Sequence, residues 1–161
     1  MRLRPALAAR HAPGFTLIEL MIAVAIVALL AAVTLPSFLD SLRKSKRTEA
    51  FAAISAVQQA QERWRSNNPS YSDNLTAAPD ADPPGLGLSA DTSGGLYTVS
   101  ISGVSSSGYT VAAVAVSGKS QASDGDCARL AARVTGGQIT YAGCASCDSF
   151  TFTETHACWR R

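Results

Sequence analysis

The sequence predicts an α+β chain: a long amino-terminal α-helix, membrane-like in its first half and amphipathic in its second, packed on an antiparallel β-sheet with a disulfide-bonded carboxyl-terminal region. Three observations predict it. From Phe15 to Leu39 the residues are overwhelmingly apolar, and Glu19 is the single ionisable side chain. Beyond Leu39, apolar residues recur mostly at three- and four-residue steps up to Trp64. After Tyr97, short runs rich in Val, Thr and Tyr follow one another, separated by Gly- and Ser-rich breaks and by no helical pattern. Of 161 residues only 16% are charged, below the roughly 25% of an ordinary soluble domain. A formal charge of +2 is too small to announce a nucleic-acid or polyanion binder by bulk electrostatics.

The organisation follows in four parts: residues 1–14 as a leader, 15–39 as a transmembrane helix, to which the resemblance below adds an assembly role, 40–68 as its amphipathic continuation, and 69–161 as an antiparallel β head. Residues 15–39 make a helix of roughly 37 Å, enough to cross a hydrocarbon layer of about 30 Å. An ordinary secretory signal would also place a basic front, here Arg2, Arg4 and Arg10, before an apolar run. Its apolar region is shorter, roughly 7–15 residues, and does not carry a carboxylate. Glu19 is costly inside a bilayer, so it calls for a partner. No Lys, Arg or His lies between Phe15 and Leu39. The one cation that can arise at that depth is a new α-amino group, made by cutting the chain between Gly14 and Phe15.

Gly14-Phe15-Thr16-Leu17-Ile18-Glu19-Leu20-Met21 resembles the type III signal of type IV prepilins and the related pseudopilins. The resemblance implies a type IV pilin fold, cleavage after Gly14 by a prepilin peptidase, and N-methylation of Phe15. It makes Glu19 the glutamate that pairs with the Phe15 amine of a neighbouring subunit, and Pro36 the helix-kinking proline of the family. The implied partners are other pilin subunits, the prepilin peptidase, the inner-membrane assembly machinery and the lipid bilayer before assembly. The implied location is the inner membrane, single-pass with a periplasmic head, and then the extracellular pilus.

Pro36 removes the backbone hydrogen bond to the carbonyl of Ala32 and is expected to kink or loosen the helix. Past it, Leu39, Leu42, Ala50, Ile54, Val57, Ala60 and Trp64 form the apolar face. Arg43, Lys44, Lys46 and Arg47 follow the span directly and would favour a cytoplasmic location for this end, whereas the leader arginines compete. Charge counting leaves the topology open, and the family resemblance selects the periplasmic head. Asn67-Asn68-Pro69 is expected to end the helix, with an asparagine in the left-handed cap conformation.

Tyr71 to Gly95 reads as a connecting loop, opposed to regular structure by Pro79, Pro83 and Pro84. The expected strands cover 97–101, 109–116, 128–134 and 138–141, the last two joined through Gly136-Gly137, with 150–152 as a short final strand. Cys127, Cys144, Cys147 and Cys158 all fall in the last 35 residues. Export makes them disulfides, and four cysteines allow three pairings. We favour Cys127 with Cys158, clamping the terminus to the sheet, and Cys144 with Cys147. The rival readings are a zinc site with His156 and a redox Cys144-Ala145-Ser146-Cys147 motif; the spacing and the absence of a βαβ context disfavour both.

Ser117 to Leu130, followed by Gly136-Gly137 and Cys158-Trp159, resembles minor type IV pilins of the PilE-like group, which overlaps the ComP-like minor pilins. That resemblance implies a minor pilin acting in pilus assembly, twitching motility and adhesion, and, as an alternative, in DNA binding for uptake. No enzymatic activity is expected, since no nucleophile has a base and an orienting acid at telling positions. No cofactor or metal is called for. Candidate DNA contacts are Arg129, Arg133, Arg160 and Arg161. Against them, residues 69–161 carry five basic and eight acidic side chains, and phosphate contacts dominate nucleic-acid affinity. A pseudopilin of a type II secretion system shares the amino-terminal signal, but Asp124 with Asp126 is too little for the calcium loop of such heads.

Overall fold

The structure, a computed structural model, describes residues 14–160; Arg2, Arg4 and Arg10 of the expected leader, and Arg161, lie outside the described residues. The chain forms two compact units that meet in sequence between Leu39 and Asp40. Helix α1 (Leu17–Arg65) runs through that boundary without interruption, although Pro36 lies inside it.

In the first unit, α1 is apolar on every side apart from Glu19 and a few hydroxyls, and among the described residues its side chains are left largely exposed. Leu17, Ile22, Val27, Leu30 and Val33 are all more than half exposed. This is the pattern of a helix made for lipid or for neighbouring helices rather than for a water-facing core. Thr34 lies one turn above Leu30 and donates its hydroxyl to the Leu30 carbonyl at 3.0 Å, so even this polar group is satisfied within the helix.

In the second unit, α1 buries a stripe of Ala50, Ile54, Val57 and Ala60, the expected helical spacing. Leu42, expected on the same face, is 40% exposed. The turn Arg43–Arg47 meets the polar loop 117–124 rather than the sheet, as its hydrogen bonds to Ser120, Gln121 and Asp124 show. At the carboxyl end, Asn68 donates its side-chain amide to the Trp64 carbonyl at 2.9 Å, and Ser66 Oγ bonds the Arg63 carbonyl at 2.7 Å. No asparagine adopts the expected left-handed conformation, because among the described residues only glycines have positive φ. The carbonyls of the last turn are satisfied by these side chains together with the backbone N–H groups of Ser66 and Asn67, which bond the Glu62 and Trp64 carbonyls at 3.2 and 3.1 Å.

Strands β1 (Tyr97–Ser102), β2 (Gly108–Ala115), β3 (Arg129–Thr135) and β4 (Gln138–Cys144) pair in that order, all antiparallel, as a meander. The Gly136-Gly137 link has positive φ at both residues, 56° and 84°, which matches the tight turn that suits the twist of a hairpin. No fifth strand forms at 150–152; the chain there makes one bridge, Thr153 to Tyr141. Alternation places Tyr97, Val99, Tyr109, Val111, Ala113, Leu130, Ala132 and Val134 in one core with the helical stripe. Burying a side chain such as Ile54 or Leu130 contributes about 1.5–3 kcal/mol.

Two polar devices tie the long loop after α1 to this core. Gln61, fully buried, donates Nε2 to the Ser72 carbonyl at 2.6 Å and accepts the Ser72 N–H at 2.9 Å, so one amide satisfies both backbone groups. Glu49 Oε1 accepts the Thr92 hydroxyl and the backbone N–H groups of Gly94 and Leu96, the latter two at 3.0 and 3.3 Å.

Tyr109 packs edge-on against Tyr71, with ring centroids 4.8 Å apart. Its hydroxyl is buried and has no hydrogen-bond partner among the described residues, and burial raises its pKa. A buried hydroxyl without a partner carries an unrecovered desolvation cost. Tyr109→Phe is therefore expected to raise head stability by about 1 kcal/mol, read as a higher urea midpoint at unchanged slope.

Candidate functional site

The first candidate site is the start of α1. Gly14, Phe15 and Thr16 precede the helix, and Phe15 is 85% exposed. Among the described residues, nothing beyond its chain neighbours lies within 4 Å of where a Cβ on Gly14 would sit. Thr16 Oγ1 accepts the Glu19 N–H at 3.3 Å, and the Thr16 carbonyl accepts the Leu20 N–H at 3.2 Å. Thr16 is thus the helix cap, in a Thr-x-x-Glu pattern that the sequence displays and that our reading of the motif passed over. The cap sets where the helix begins, and so places the Glu19 carboxylate in its first turn, where the helix dipole favours negative charge. Its side chain is exposed rather than folded into the protein. Pro36 lies further along, at a position deprived of a backbone donor.

The second candidate site is the head. Leu130, Ala132 and Val134 face the core, so Arg129 and Arg133 project from the opposite face of β3. Arg129 Nη1 donates to the Cys147 carbonyl at 2.8 Å and is engaged in holding that loop. The Arg133 guanidinium lies 3.9 Å from the centre of the Phe152 ring, and its Nε bonds Thr110 Oγ1 at 3.3 Å. Phe150 sits 5.9 Å from Phe152, so an arginine and two aromatic rings share this outer face. Arg160 is elsewhere. It lines a cleft of about 410 Å³ with Phe51, Tyr141, Glu154, His156 and Trp159, on the side of the sheet that carries α1. Two of the four candidate arginines are therefore on one face, one is on the other, and Arg161 lies outside the described residues.

The carboxyl terminus is anchored where Cys127 is bonded to Cys158, and a second bond joins Cys144 to Cys147. Cys158 is buried, and Trp159 beside it stacks on Phe51 at 4.8 Å and contacts Tyr141 at 4.6 Å, with its indole N–H donated to the Ala142 carbonyl. His156 Nδ1 accepts the Cys158 N–H, a capping role. Among the described residues no group of three or more His, Cys, Asp or Glu is placed to hold a metal ion.

The segment Ser117 to Cys127 is fastened to α1 by a nearly buried ion pair. Arg47 Nε and Nη2 reach Asp124 Oδ2 and Oδ1 at 2.6 and 2.8 Å, a two-point match of guanidinium to carboxylate. That hydrogen bonding raises the Arg47 pKa, against the opposing effect of its burial. Gln121, also buried, donates to the Tyr97 hydroxyl at 2.7 Å and to the Arg43 carbonyl at 3.2 Å. Burial raises the Tyr97 pKa above that of a free phenol. Reading the sequence did not single out Arg47–Asp124, Glu49 or Gln61. Their signal is weak, a polar residue set beside the apolar stripe of an amphipathic helix, and the partners are far away in sequence.

Comparison with known proteins places these features. Residues 10–35 match the model of the prokaryotic N-terminal methylation motif, and residues 36–131 match that described as type IV minor pilin ComP, DNA uptake sequence receptor. Among curated proteins the chain is similar to the type IV wide pilus major component PilA4 of Thermus thermophilus, 41% identical over 68 residues, 42% of this chain and 52% of the relative. It is also similar to the type IV major pilin protein PilA of Myxococcus xanthus, 47% identical over 60 residues, 37% of this chain and 27% of the relative. A third is the type IV major pilin protein PilE1 of Neisseria gonorrhoeae, 41% identical over 71 residues, 44% of this chain and 43% of the relative. The chain spans about half, or less, of the length of these relatives. The methylation motif and the apolar helix indicate a pilin anchored in the inner membrane and later found in the extracellular pilus. The second family match covers more than half of the chain, which therefore belongs to the type IV pilin family that this model describes, structural proteins whose members associate with other pilin subunits in filaments.

Proposed function

We propose that this chain is a minor subunit of a type IV pilus. A prepilin peptidase cleaves it between Gly14 and Phe15, and Phe15 is then N-methylated. The span 15–39 holds it in the inner membrane with the head, 69–161, on the periplasmic side, until the assembly machinery builds it into the filament. Removing residues 1–14 takes away three arginines and leaves 11 basic against 12 acidic side chains, so the mature subunit is nearly neutral. The carrying observation is Glu19: an exposed carboxylate on a helix whose following residues to Leu39 contain no cation, four positions from the amine that processing would create. Pairing of that amine with the Glu19 of a neighbour neutralises both charges in an apolar filament core. Pro36 loosens the helix so that packed subunits adjust. Roles in twitching and adhesion follow from incorporation.

The expected result for Glu19→Ala is unimpaired cleavage and methylation but a loss of at least tenfold from sheared pili, measured by mass spectrometry relative to the major subunit. Normal incorporation removes the ion-pair argument. Pili unaffected in a deletion strain, with protein secretion lost, would move the chain to a type II secretion pseudopilus.

A second reading, DNA capture, is favoured by the family description and by Arg133 over Phe152, with Phe150 beside it, on the outer sheet face. Arginine and half-buried aromatic rings on one face together offer phosphate contact and base stacking. The net charge of −3 on residues 69–161 opposes it. Salt-dependent binding of fragment 40–161 to duplex DNA, weakened in Arg133→Ala, supports this reading; no binding at low salt removes it.

A further inference from the structure

The chain contains three lysines, Lys44, Lys46 and Lys119, and every other basic residue is arginine. Although Lys119 is more than seventy residues from the others, the fold brings all three to one end of the head. Lys46 Nζ donates to Ser120 Oγ at 3.0 Å, which sets Lys119 beside the helix turn that carries Lys44 and Lys46. The Arg47–Asp124 pair and the bond from Gln121 to the Arg43 carbonyl hold the 117–124 loop there. All three lysines are exposed. The arginines of the same turn are spent within the protein, Arg43 on Asp40 at 2.9 Å and Arg47 on Asp124. Among the described residues, no lysine is paired with a carboxylate. Helix residues 40–47 and the loop 117–124 together carry five basic and two acidic side chains, an excess of +3 in a head that is otherwise acidic.

We infer that Lys44, Lys46 and Lys119 form a cationic face by which the head rests on the anionic phospholipid headgroups of the bilayer that its helix leaves. Continuity with the span carries the choice of occupant. Lys44 and Lys46 follow Leu39 by five and seven residues, about 7 to 11 Å of helix, which is the depth of a headgroup layer and within the reach of a lysine stem. Basic residues directly beyond a span also oppose export of this end, and a headgroup contact on the far side offsets that bias. Lysine suits the task. Its ammonium is a hydrated point charge on a flexible stem, matched to mobile lipid phosphates rather than to a fixed planar partner. The inference rests on the membrane-anchored reading of α1 and requires nothing of filament assembly.

The amines make the test direct. The full chain is reconstituted in nanodiscs of phosphatidylcholine, alone or with a third phosphatidylglycerol, labelled with an amine-reactive reagent and read by peptide mass spectrometry. A soluble lysine-containing peptide, added to both discs, is the labelling reference. Each lysine is expected to label about fivefold more slowly with phosphatidylglycerol present, and high salt should abolish the difference. Equal labelling in both discs overturns the inference. Protection by duplex DNA over phosphatidylcholine discs, with none from phosphatidylglycerol, also overturns it and assigns the face to a nucleic acid. In Lys119→Gln, an exposed substitution, protection of Lys44 and Lys46 is expected to fall; unchanged protection removes the loop from the face and refutes the three-lysine arrangement.

Discussion

Replacing Arg47 with methionine is expected to destabilise the head by about 3–5 kcal/mol, the cost of leaving a buried charge without its partner. Asp124 is 4% exposed, and the two short bonds from Arg47 are its main compensation. The substitution keeps most of the apolar stem of residue 47, so the effect isolates the charge. It also loosens the loop in which Gln121 reaches Tyr97, three residues from Asp124. Denaturation of the full chain in detergent, followed by the fluorescence of Trp64 and Trp159, measures it. Arg47→Met combined with Asp124→Leu should recover most of the loss, because removing both charges removes the unpaired one. A single variant as stable as the parent, or a double variant worse than the sum of its singles, contradicts this account.

Removing the Cys127–Cys158 bond by a double change to alanine is expected to cost about 3.5–4 kcal/mol. The bond closes a separation of 31 residues, and the entropy it withholds from the unfolded chain grows with that loop. Both cysteines are buried, so truncation also leaves small voids under the sheet. The last residues would then lose their hold, and Trp159 its contacts with Phe51 and Tyr141, seen as a red shift of indole emission before global unfolding. The Cys144–Cys147 bond spans a separation of only 3 residues. Its removal should cost about 2 kcal/mol or less, and Arg129 continues to hold the Cys147 carbonyl.

Elements whose signal is local were legible in the sequence. Ala50, Ile54, Val57 and Ala60 declared their face by spacing alone, and the four strand runs by alternation and turn residues. Boundaries moved where pairing decided them: β4 extends to Cys144 rather than stopping at Tyr141, because each of its residues finds a partner on β3. The expected strand at 150–152 failed for the converse reason, since only Thr153 meets the edge of β4. The helix end was placed within a few residues, but the cap chemistry was not. Asn68 acts through its side chain, and a propensity for left-handed backbone does not distinguish the two uses.

By itself the sequence determined the amino-terminal segment: a glycine, an aromatic and a lone carboxylate in an apolar run are adjacent residues, and their chemistry does not depend on the rest of the fold. It also determined that a helix and an antiparallel sheet would share one core, because amphipathic periodicity is a property of neighbours in the chain. Only the tertiary structure decided that Arg133 stands over Phe152 while Arg160 lies on the other side of the sheet, and that Lys119 joins Lys44 and Lys46. The reason is physical. Which distant side chains meet depends on strand register and on the packing of loops against the helix, and no local pattern of charge or hydrophobicity encodes either.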